Sequence, residues 1–270
     1  MSKLGVSGSW RFVDVLGFED ESLSSVPTPS CAVMLLFPLT QQHEAFREKQ
    51  AGELAGKQEE SKKVYFVKQT IVNSCGTIGL LHAVANNMGK LEFENDSALK
   101  KFFDDTDALS ADERAKHLER NQDIRTAHDE VAAEGQCRGQ ALDRIGIIVM
   151  LDQVRHKTAK GKDSWRLHMV EEDNVNFHFI TFTNVDGQLY ELDGRMECPV
   201  NHGDTKDDSF IMVNIPADIS ALHFNVFTIR KPNVMDNVRF SFQDAAKICR
   251  QFTEREKGEV RFSAVALCKA

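Results

Sequence analysis

The sequence predicts an α+β fold, because segments typical of strands and segments typical of helices both recur along its 270 residues. Phe177 to Asn184 is rich in aromatic and β-branched residues and is followed by Asp186-Gly187, a strong hairpin signal. Cys75 to Asn87 is apolar on nearly every side of a helix, which predicts a helix buried in the core. An apolar content of 41% and a charged content of 27% are typical of a globular chain.

The other strands are predicted from apolar runs and from alternation. Trp10 to Leu16 and Cys31 to Phe37 are predicted as buried strands joined by a proline-containing loop. After Asp186-Gly187, Gln188 to Gly194 is predicted to contain the return strand of the hairpin. Val260 to Cys268 alternates between apolar and polar residues and predicts a strand near the C-terminus.

The other helices are predicted from capping residues and composition. Thr40 is the predicted N-cap of a polar helix that extends to about Lys57. Ser110-Ala111-Asp112-Glu113 has the pattern of a capping box, which predicts a helix that starts there. Asn121 begins a further predicted helix that ends near Gly135, and residues 243–253 form a short one.

Cys75 stands where a polar loop gives way to the apolar helix. The positive end of the helix dipole and the unpaired N–H groups there favour the thiolate, which is the nucleophilic form of cysteine. Gln69 offers a side-chain amide that can donate to an oxyanion, and the N–H of Cys75 can be the second donor. Buried cysteines are often inert packing, so this local context leaves both interpretations open.

A histidine and a carboxylate are predicted to meet across the hairpin. If Asp186-Gly187 is a two-residue turn, counting outward places Ile180 opposite Asp193. His178 then shares that face, within reach of Asp193, whose carboxylate can orient the imidazole and stabilise its cation. A one-residue slip would separate them, and the alternatives are an ordinary strand histidine and a turn aspartate. His82, seven residues after Cys75, is interpreted as a core histidine.

These motifs resemble the ubiquitin carboxyl-terminal hydrolase family of thiol proteases. The stretches that carry the resemblance are Trp10–Gly17, Gln69–Asn87, Val175–Gly203 and Asp244–Lys269. The resemblance extends over residues 3–138, 173–208 and 243–270. It implies one catalytic domain over residues 1–270 and an antiparallel sheet packed between helices. This fold is papain-like, with a knotted chain path and a crossover loop over the active site.

The resemblance also implies roles for the candidate residues. Cys75 would be the nucleophile, His178 the general acid and base, Asp193 the residue that orients His178, and Gln69 the oxyanion donor. The implied reaction is hydrolysis of amide, thioester or ester bonds at the C-terminal glycine of ubiquitin through an acyl-enzyme. The implied partners are ubiquitin and small ubiquitin adducts, and the reaction requires no cofactor.

The chain departs from the family in three places. Compared with the family, we expect a late start that lacks a helical segment before the first strand, and insertions at about 139–172, in the crossover loop, and 210–242. Their abrupt edges suggest the hypothesis that one or both derive from retained non-coding sequence or from an imperfect gene model. A longer crossover loop would admit bulkier leaving groups, whereas its apolar run, 147–151, would block the active site if it packed there.

Composition and motifs argue against several classes of protein. The net charge of −8 argues against a nucleic-acid partner, because phosphates require a basic face. No apolar signal-peptide core follows Met1, so we predict a cytoplasmic protein with reduced thiols. The longest apolar run, Cys31 to Phe37, is too short to span a membrane. The sequence contains no Cys-x-x-Cys or His-Glu-x-x-His motif, so we predict no metal site.

Two functions other than hydrolysis stay open. The first is a ubiquitin-binding module with little or no turnover, in which the altered start and the two insertions disturb the catalytic geometry. The second is a redox-sensitive cysteine protein, which would need neither Gln69 nor the pair of His178 and Asp193.

Overall fold

A six-stranded antiparallel sheet lies at the centre of the part of the chain that the structure describes. The structure is a computed structural model and describes residues 1–54, 63–71, 74–134, 177–205, 237–256 and 258–270. The strand order is β1-β6-β2-β3-β4-β5. The strands are β1 (Trp10–Val15), β2 (Ser30–Pro38), β3 (Phe177–Val185), β4 (Gln188–Leu192), β5 (Val200–Asp204) and β6 (Ser263–Lys269).

Helices flank this sheet, and a short 3-10 turn at Ser2–Leu4 precedes them in the chain. They are α1 (Asp20–Ser24), α2 (Gln41–Leu54), α3 (Cys75–Ala85), α4 (Ala98–Thr106), α5 (Ala111–Arg120), α6 (Gln122–Glu134) and α7 (Asn237–Arg255). Within the described ranges, no helix combines the length and the apolar character that crossing a bilayer requires.

The core has two main parts, one on each face of the sheet. One contains Leu81 of α3, Phe102 of α4, Leu118 of α5 and Ile124 of α6. The other contains Phe182 of β3 and buried residues of α1 and α7: Leu23, Ala245, Ala246, Cys249 and Phe252. The predicted α+β class, with an antiparallel sheet packed between helices, is therefore confirmed.

Several predicted boundaries differ from the observed ones. The predicted helix over 243–253 is wrong in length, because α7 begins at Asn237, within the range assigned to the second insertion. Residues 237–242 contain neither glycine nor proline, so nothing in them stops the helix from extending. β6 begins at Ser263 because its ladders with β1 and β2 extend no further, and Val260 is 86% exposed. The first predicted insertion and residues 210–236 of the second lie outside the described residues.

The hairpin between β3 and β4 has the predicted register. Val185 pairs with Gln188, and the pairing continues to Thr181 with Leu192. The turn residues Asp186 and Gly187 have φ values of 52° and 81°, as a type I′ turn requires. This turn matches the twist of the strands and sets which side chains of β3 and β4 share a face.

Replacing Gly187 with alanine is expected to lower the free energy of unfolding by about 1–2 kcal/mol, because a Cβ is strained at its positive φ. Urea denaturation measures this difference. Gly89→Ala is the matched control, since its φ is not in that region and an added Cβ meets no atom within 4 Å. Equal changes in the two variants would contradict the assignment of the turn.

Helix α2 is polar in sequence, yet it contributes buried side chains. The backbone N–H of His43 donates to Thr40 Oγ1 at 3.0 Å, as expected for the predicted N-cap. His43 and Arg47, one turn apart, are only 2% and 7% exposed. The buried face of this helix therefore carries polar groups that need partners on the sheet.

Candidate active site

Cys75 is the first residue of α3, as predicted. The N–H of Ile78 donates to the carbonyl of Ser74 at 2.8 Å, which closes the first turn of the helix. The N–H of Cys75 precedes this bond and has no acceptor within the helix. The residue is 8% exposed, so its thiol lies in a partly desolvated position at the positive end of the helix dipole.

His178 and Asp193 form a buried pair, as the hairpin register predicts. The Nε2 atom of His178 lies 2.7 Å from Asp193 Oδ1, and both residues are 2% exposed. The same carboxylate oxygen accepts the backbone N–H of Arg195 at 2.9 Å. Because Asp193 occupies Nε2, the nitrogen that remains for the Cys75 side chain is Nδ1.

The opposite charges of His178 and Asp193 stabilise each other. Burial lowers the pKa of His178, but the charge and hydrogen bond of Asp193, and then those of Cys75, outweigh it and raise this pKa to about 9. Burial raises the pKa of Asp193, but the His178 cation, its hydrogen bond and the charge of Arg47 hold it well below its usual range. At neutral pH, the geometry therefore favours an imidazolium beside an ionised carboxylate.

Replacing Asp193 with asparagine is expected to lower the pKa of His178 from about 9, because the carboxylate is the main cause that raises it. NMR titration of the imidazole C–H signals measures this pKa. Since the folded pKa exceeds the ordinary value of 6.5, the stability that this pair contributes is complete below that value and is lost as the pH rises through about 9. The variant should lack this alkaline loss, and an unchanged His178 titration would refute the coupling.

Arg47 binds the two buried carboxylates of this region. Its Nη1 atom lies 2.5 Å from Glu191 Oε1, and its Nη2 atom lies 3.1 Å from Asp193 Oδ2. The other oxygen of Glu191 contacts Nε2 of His202 at 2.8 Å. The side chains of Glu191 and Asp193 are 0% and 3% exposed, so Arg47 compensates negative charge that water does not reach.

Sequence reasoning missed Arg47, Glu191 and His202. A partial signal was present, because Glu191 precedes Asp193 by two residues, and such residues share a face of an extended strand. Two carboxylates on one buried face require a cation. Nothing in the sequence indicated that Arg47, in a polar helix far earlier in the chain, would supply it.

Gln69 lies beside the turn that follows Asp193. Its backbone N–H donates to the carbonyl of Gly194 at 2.7 Å. Gly194 also packs on Ile78, one turn after Cys75 in α3. The structure therefore brings all four predicted site residues, Cys75, His178, Asp193 and Gln69, into one region.

His82 is fully buried, so the interpretation as a core histidine is confirmed. Its Nε2 atom lies 3.1 Å from the backbone N of Val67, two residues before Gln69, and its ring stacks on Phe66. Burial lowers the pKa of His82 to about 4, so the ring is neutral at physiological pH. Across the described ranges, no cluster of three His, Cys, Asp or Glu side chains is placed to hold a metal ion.

A cysteine at a helix N-terminus, a histidine coupled to it and a carboxylate on the second ring nitrogen define the geometry of a thiol hydrolase. The model of the family described as "Ubiquitin carboxyl-terminal hydrolase, family 1" matches residues 1–220. The chain belongs to this family and is a ubiquitin carboxyl-terminal hydrolase.

Curated relatives are similar in sequence to this protein over its whole length. Ubiquitin carboxyl-terminal hydrolase isozyme L1 of Rattus norvegicus is 53% identical over 270 residues, and that of Homo sapiens is 52% identical. Each comparison covers 100% of this chain and 92% of the relative.

Solved structures share the fold. The Trichinella spiralis UCH37 catalytic domain, bound to ubiquitin vinyl methyl ester, matches with a TM-score of 0.58 at 17% identity. That match covers 100% of this chain and 89% of the UCH37 domain. At this level of identity, the similarity shows the fold alone.

Proposed function

We propose that this chain hydrolyses amide, thioester or ester bonds at the C-terminal glycine of ubiquitin, with Cys75 as the nucleophile. The observation that carries the proposal is the coupling of Cys75 to His178, whose other ring nitrogen lies 2.7 Å from Asp193. This arrangement supplies a nucleophile, a base and a group that orients the base. Membership of the family supports ubiquitin as the substrate.

In the first half of the reaction, the Cys75 sulfur attacks the glycine carbonyl carbon, and the thiol proton is held on Nδ1 of His178. Asp193 keeps the imidazolium oriented throughout this step through the contact with Nε2. The carbonyl oxygen becomes an oxyanion, to which the N–H of Cys75 and the Gln69 amide donate. His178 then protonates the leaving group as the carbon–heteroatom bond breaks, which leaves a thioester between Cys75 and ubiquitin.

In the second half, water attacks the thioester carbonyl and His178 accepts a proton from it. The same two donors hold the second oxyanion. The carbon–sulfur bond then breaks, the sulfur leaves as a thiolate beside the His178 imidazolium, and the released ubiquitin carboxylic acid loses its proton to water. Every proton transfer between the enzyme and the substrate in this cycle uses one nitrogen of one imidazole, because the other nitrogen stays with Asp193.

The substrates proposed here are ubiquitin and small ubiquitin adducts. The net charge of −8 supports a basic segment, such as the arginine-bearing tail of ubiquitin, over a nucleic acid. We also propose a cytoplasmic location. Free thiols at Cys31, Cys75, Cys249 and Cys268 support a reducing compartment.

The direct test is the reaction of the purified chain with ubiquitin vinyl methyl ester. We expect one covalent adduct, located at Cys75 by peptide mapping of the modified protein. Cys75→Ala is the matched control and should give no adduct. Ubiquitin binding without an adduct would refute the proposal and favour a binding module, and an adduct on another cysteine would refute the assignment of Cys75.

A further inference from the structure

Gly194 lies at the point where three parts of the candidate site meet. It is buried in the turn that follows Asp193. Its carbonyl accepts the backbone N–H of Gln69 at 2.7 Å, and its α-carbon packs on Ile78 of the helix that begins with Cys75. The turn that follows Asp193 thus touches both the segment that carries the oxyanion donor and the helix that carries the nucleophile.

This contact leaves no room for a side chain at position 194. A Cβ there would lie 2.8 Å from Cγ2 of Ile78, 3.0 Å from Cβ of Gln69 and 3.2 Å from the backbone N of Gln69. Two of these atoms are the backbone N and the Cβ of Gln69. They cannot rotate away as the end of a long side chain can. Only glycine therefore permits the observed distance between the turn and Gln69.

The Gln69 side-chain oxygen and the neighbouring Lys68 do little to fix the position of the amide. Within the described ranges, its Oε1 atom is buried and has no hydrogen-bond partner, so hydrogen bonds to this oxygen do not set the orientation of the amide. The neighbouring Lys68 pairs with Glu197 at 2.7 Å and with Asp112 at 3.1 Å. Both carboxylates are largely exposed, and exposed ion pairs contribute little to the position of a segment.

We infer that Gly194 is a positioning residue for the reaction, which sets the distance from the Gln69 amide to the reacting carbonyl through its own carbonyl and its missing side chain. This inference rests on the proposed role of Gln69 as an oxyanion donor. Gly194 has no side chain and supplies no group to the proposed chemistry, so we expect its effect to pass through Gln69.

The variant Gly194→Ala is expected to lower kcat by about 10- to 100-fold, because a displacement of about 1 Å at such a site has an effect of this order. KM and the affinity for ubiquitin should change by no more than about threefold, since an oxyanion donor acts mainly in the transition state. Steady-state hydrolysis of a ubiquitin C-terminal ester measures kcat and KM, and titration with ubiquitin measures the affinity.

A double-mutant cycle with Gln69→Ala tests whether Gly194 acts through Gln69. In the Gln69→Ala background, Gly194→Ala should reduce kcat by less than about threefold further. Losses that multiply would overturn the inference, because they would show that Gly194 acts independently of the amide.

Gly258→Ala separates a positioning effect from a loss of stability. An added Cβ at Gly258 is strained by its φ of +87° but meets no atom within 4 Å, so stability should fall while kcat is unchanged. A fall in kcat for Gly258→Ala equal to that of Gly194→Ala would overturn the inference. If Gly194→Ala folds poorly, the double variant Ile78→Ala/Gly194→Ala replaces it, because it removes the nearest contact of the added Cβ. Its kcat should still be lower than that of Ile78→Ala alone. Recovery of kcat to the Ile78→Ala value would contradict a role through Gln69.

The oxyanion role of Gln69 and the positioning role of Gly194 can be refuted separately. An unchanged kcat in Gln69→Ala would refute the oxyanion role of Gln69, and the inference about Gly194 with it. A reduced kcat in Gln69→Ala, together with an unchanged kcat in Gly194→Ala, would refute only the role of Gly194.

Discussion

Replacing Cys75 with alanine is expected to reduce hydrolysis of ubiquitin C-terminal substrates by about 10⁴-fold or more while ubiquitin remains bound. The variant lacks the sulfur that forms the proposed acyl-enzyme. Alanine is compatible with the first turn of a helix, so the surrounding structure should persist. Turnover of an ester substrate and titration with labelled ubiquitin measure the two quantities separately.

Cys198→Ala is the control for this prediction. Cys198 is partly exposed and follows the turn after Asp193, but it is not at a helix N-terminus. Its replacement should leave kcat within about threefold of the wild-type value. Hydrolysis near the wild-type level in Cys75→Ala would refute the mechanism, and an unchanged melting temperature would show that lost turnover does not come from unfolding.

Replacing Arg47 with alanine is expected to lower the free energy of unfolding by about 3–5 kcal/mol, because it leaves buried carboxylates without their cation. Glu191 and Asp193 have side chains that are 0% and 3% exposed, and both contact Arg47. Activity should fall as well, since Asp193 would lose one of the groups that hold it beside His178. Urea denaturation and ester hydrolysis measure these two effects.

An exposed ion pair provides the comparison. Lys100 contacts Asp104 at 2.6 Å, but their side chains are 46% and 55% exposed. Lys100→Ala should therefore change the free energy of unfolding by only about 0–1 kcal/mol. A change in Arg47→Ala as small as that in Lys100→Ala would contradict the proposed burial of the network.

The acid dependence of stability should also change in Arg47→Ala. Burial raises the pKa of Glu191, but the charges and hydrogen bonds of Arg47 and His202 together outweigh it and lower this pKa below the ordinary value of 4.5. In the wild type, the resulting stability is present above that value and is lost as the pH falls. Without Arg47 the pKa of Glu191 should be lowered less, so the variant should show a weaker loss of stability in acid.

Much of the hairpin of β3 and β4 could be predicted from sequence because its determinants are local. Asp186-Gly187 requires two positive φ values, and that turn sets the pairing of β3 with β4. Once the pairing is set, the two-residue period of a strand places His178 on the face of Asp193. The start of α3 at Cys75 was predictable for the same reason, since it depends on a few adjacent residues.

The role of α2 could not be predicted in this way. Its composition indicates a solvated helix, and only the folded chain shows that His43 and Arg47 are buried. A polar pattern does not distinguish a face that meets water from a face that meets buried carboxylates. Arg47 contacts Glu191 and Asp193 because segments far apart in the chain pack together.

By itself, the sequence determined five of the six described strands, most of the helices, the register of the hairpin and the residue types of the candidate site. It did not predict β5, α1 or α4. The predicted features follow from hydrogen bonding and side-chain periodicity within a few residues. Only the tertiary structure decided that Arg47 binds Glu191 and Asp193, and that Gly194 packs between Gln69 and Ile78. Such contacts depend on how the helices and the sheet fill space together, and that is a property of the whole core rather than of any one segment.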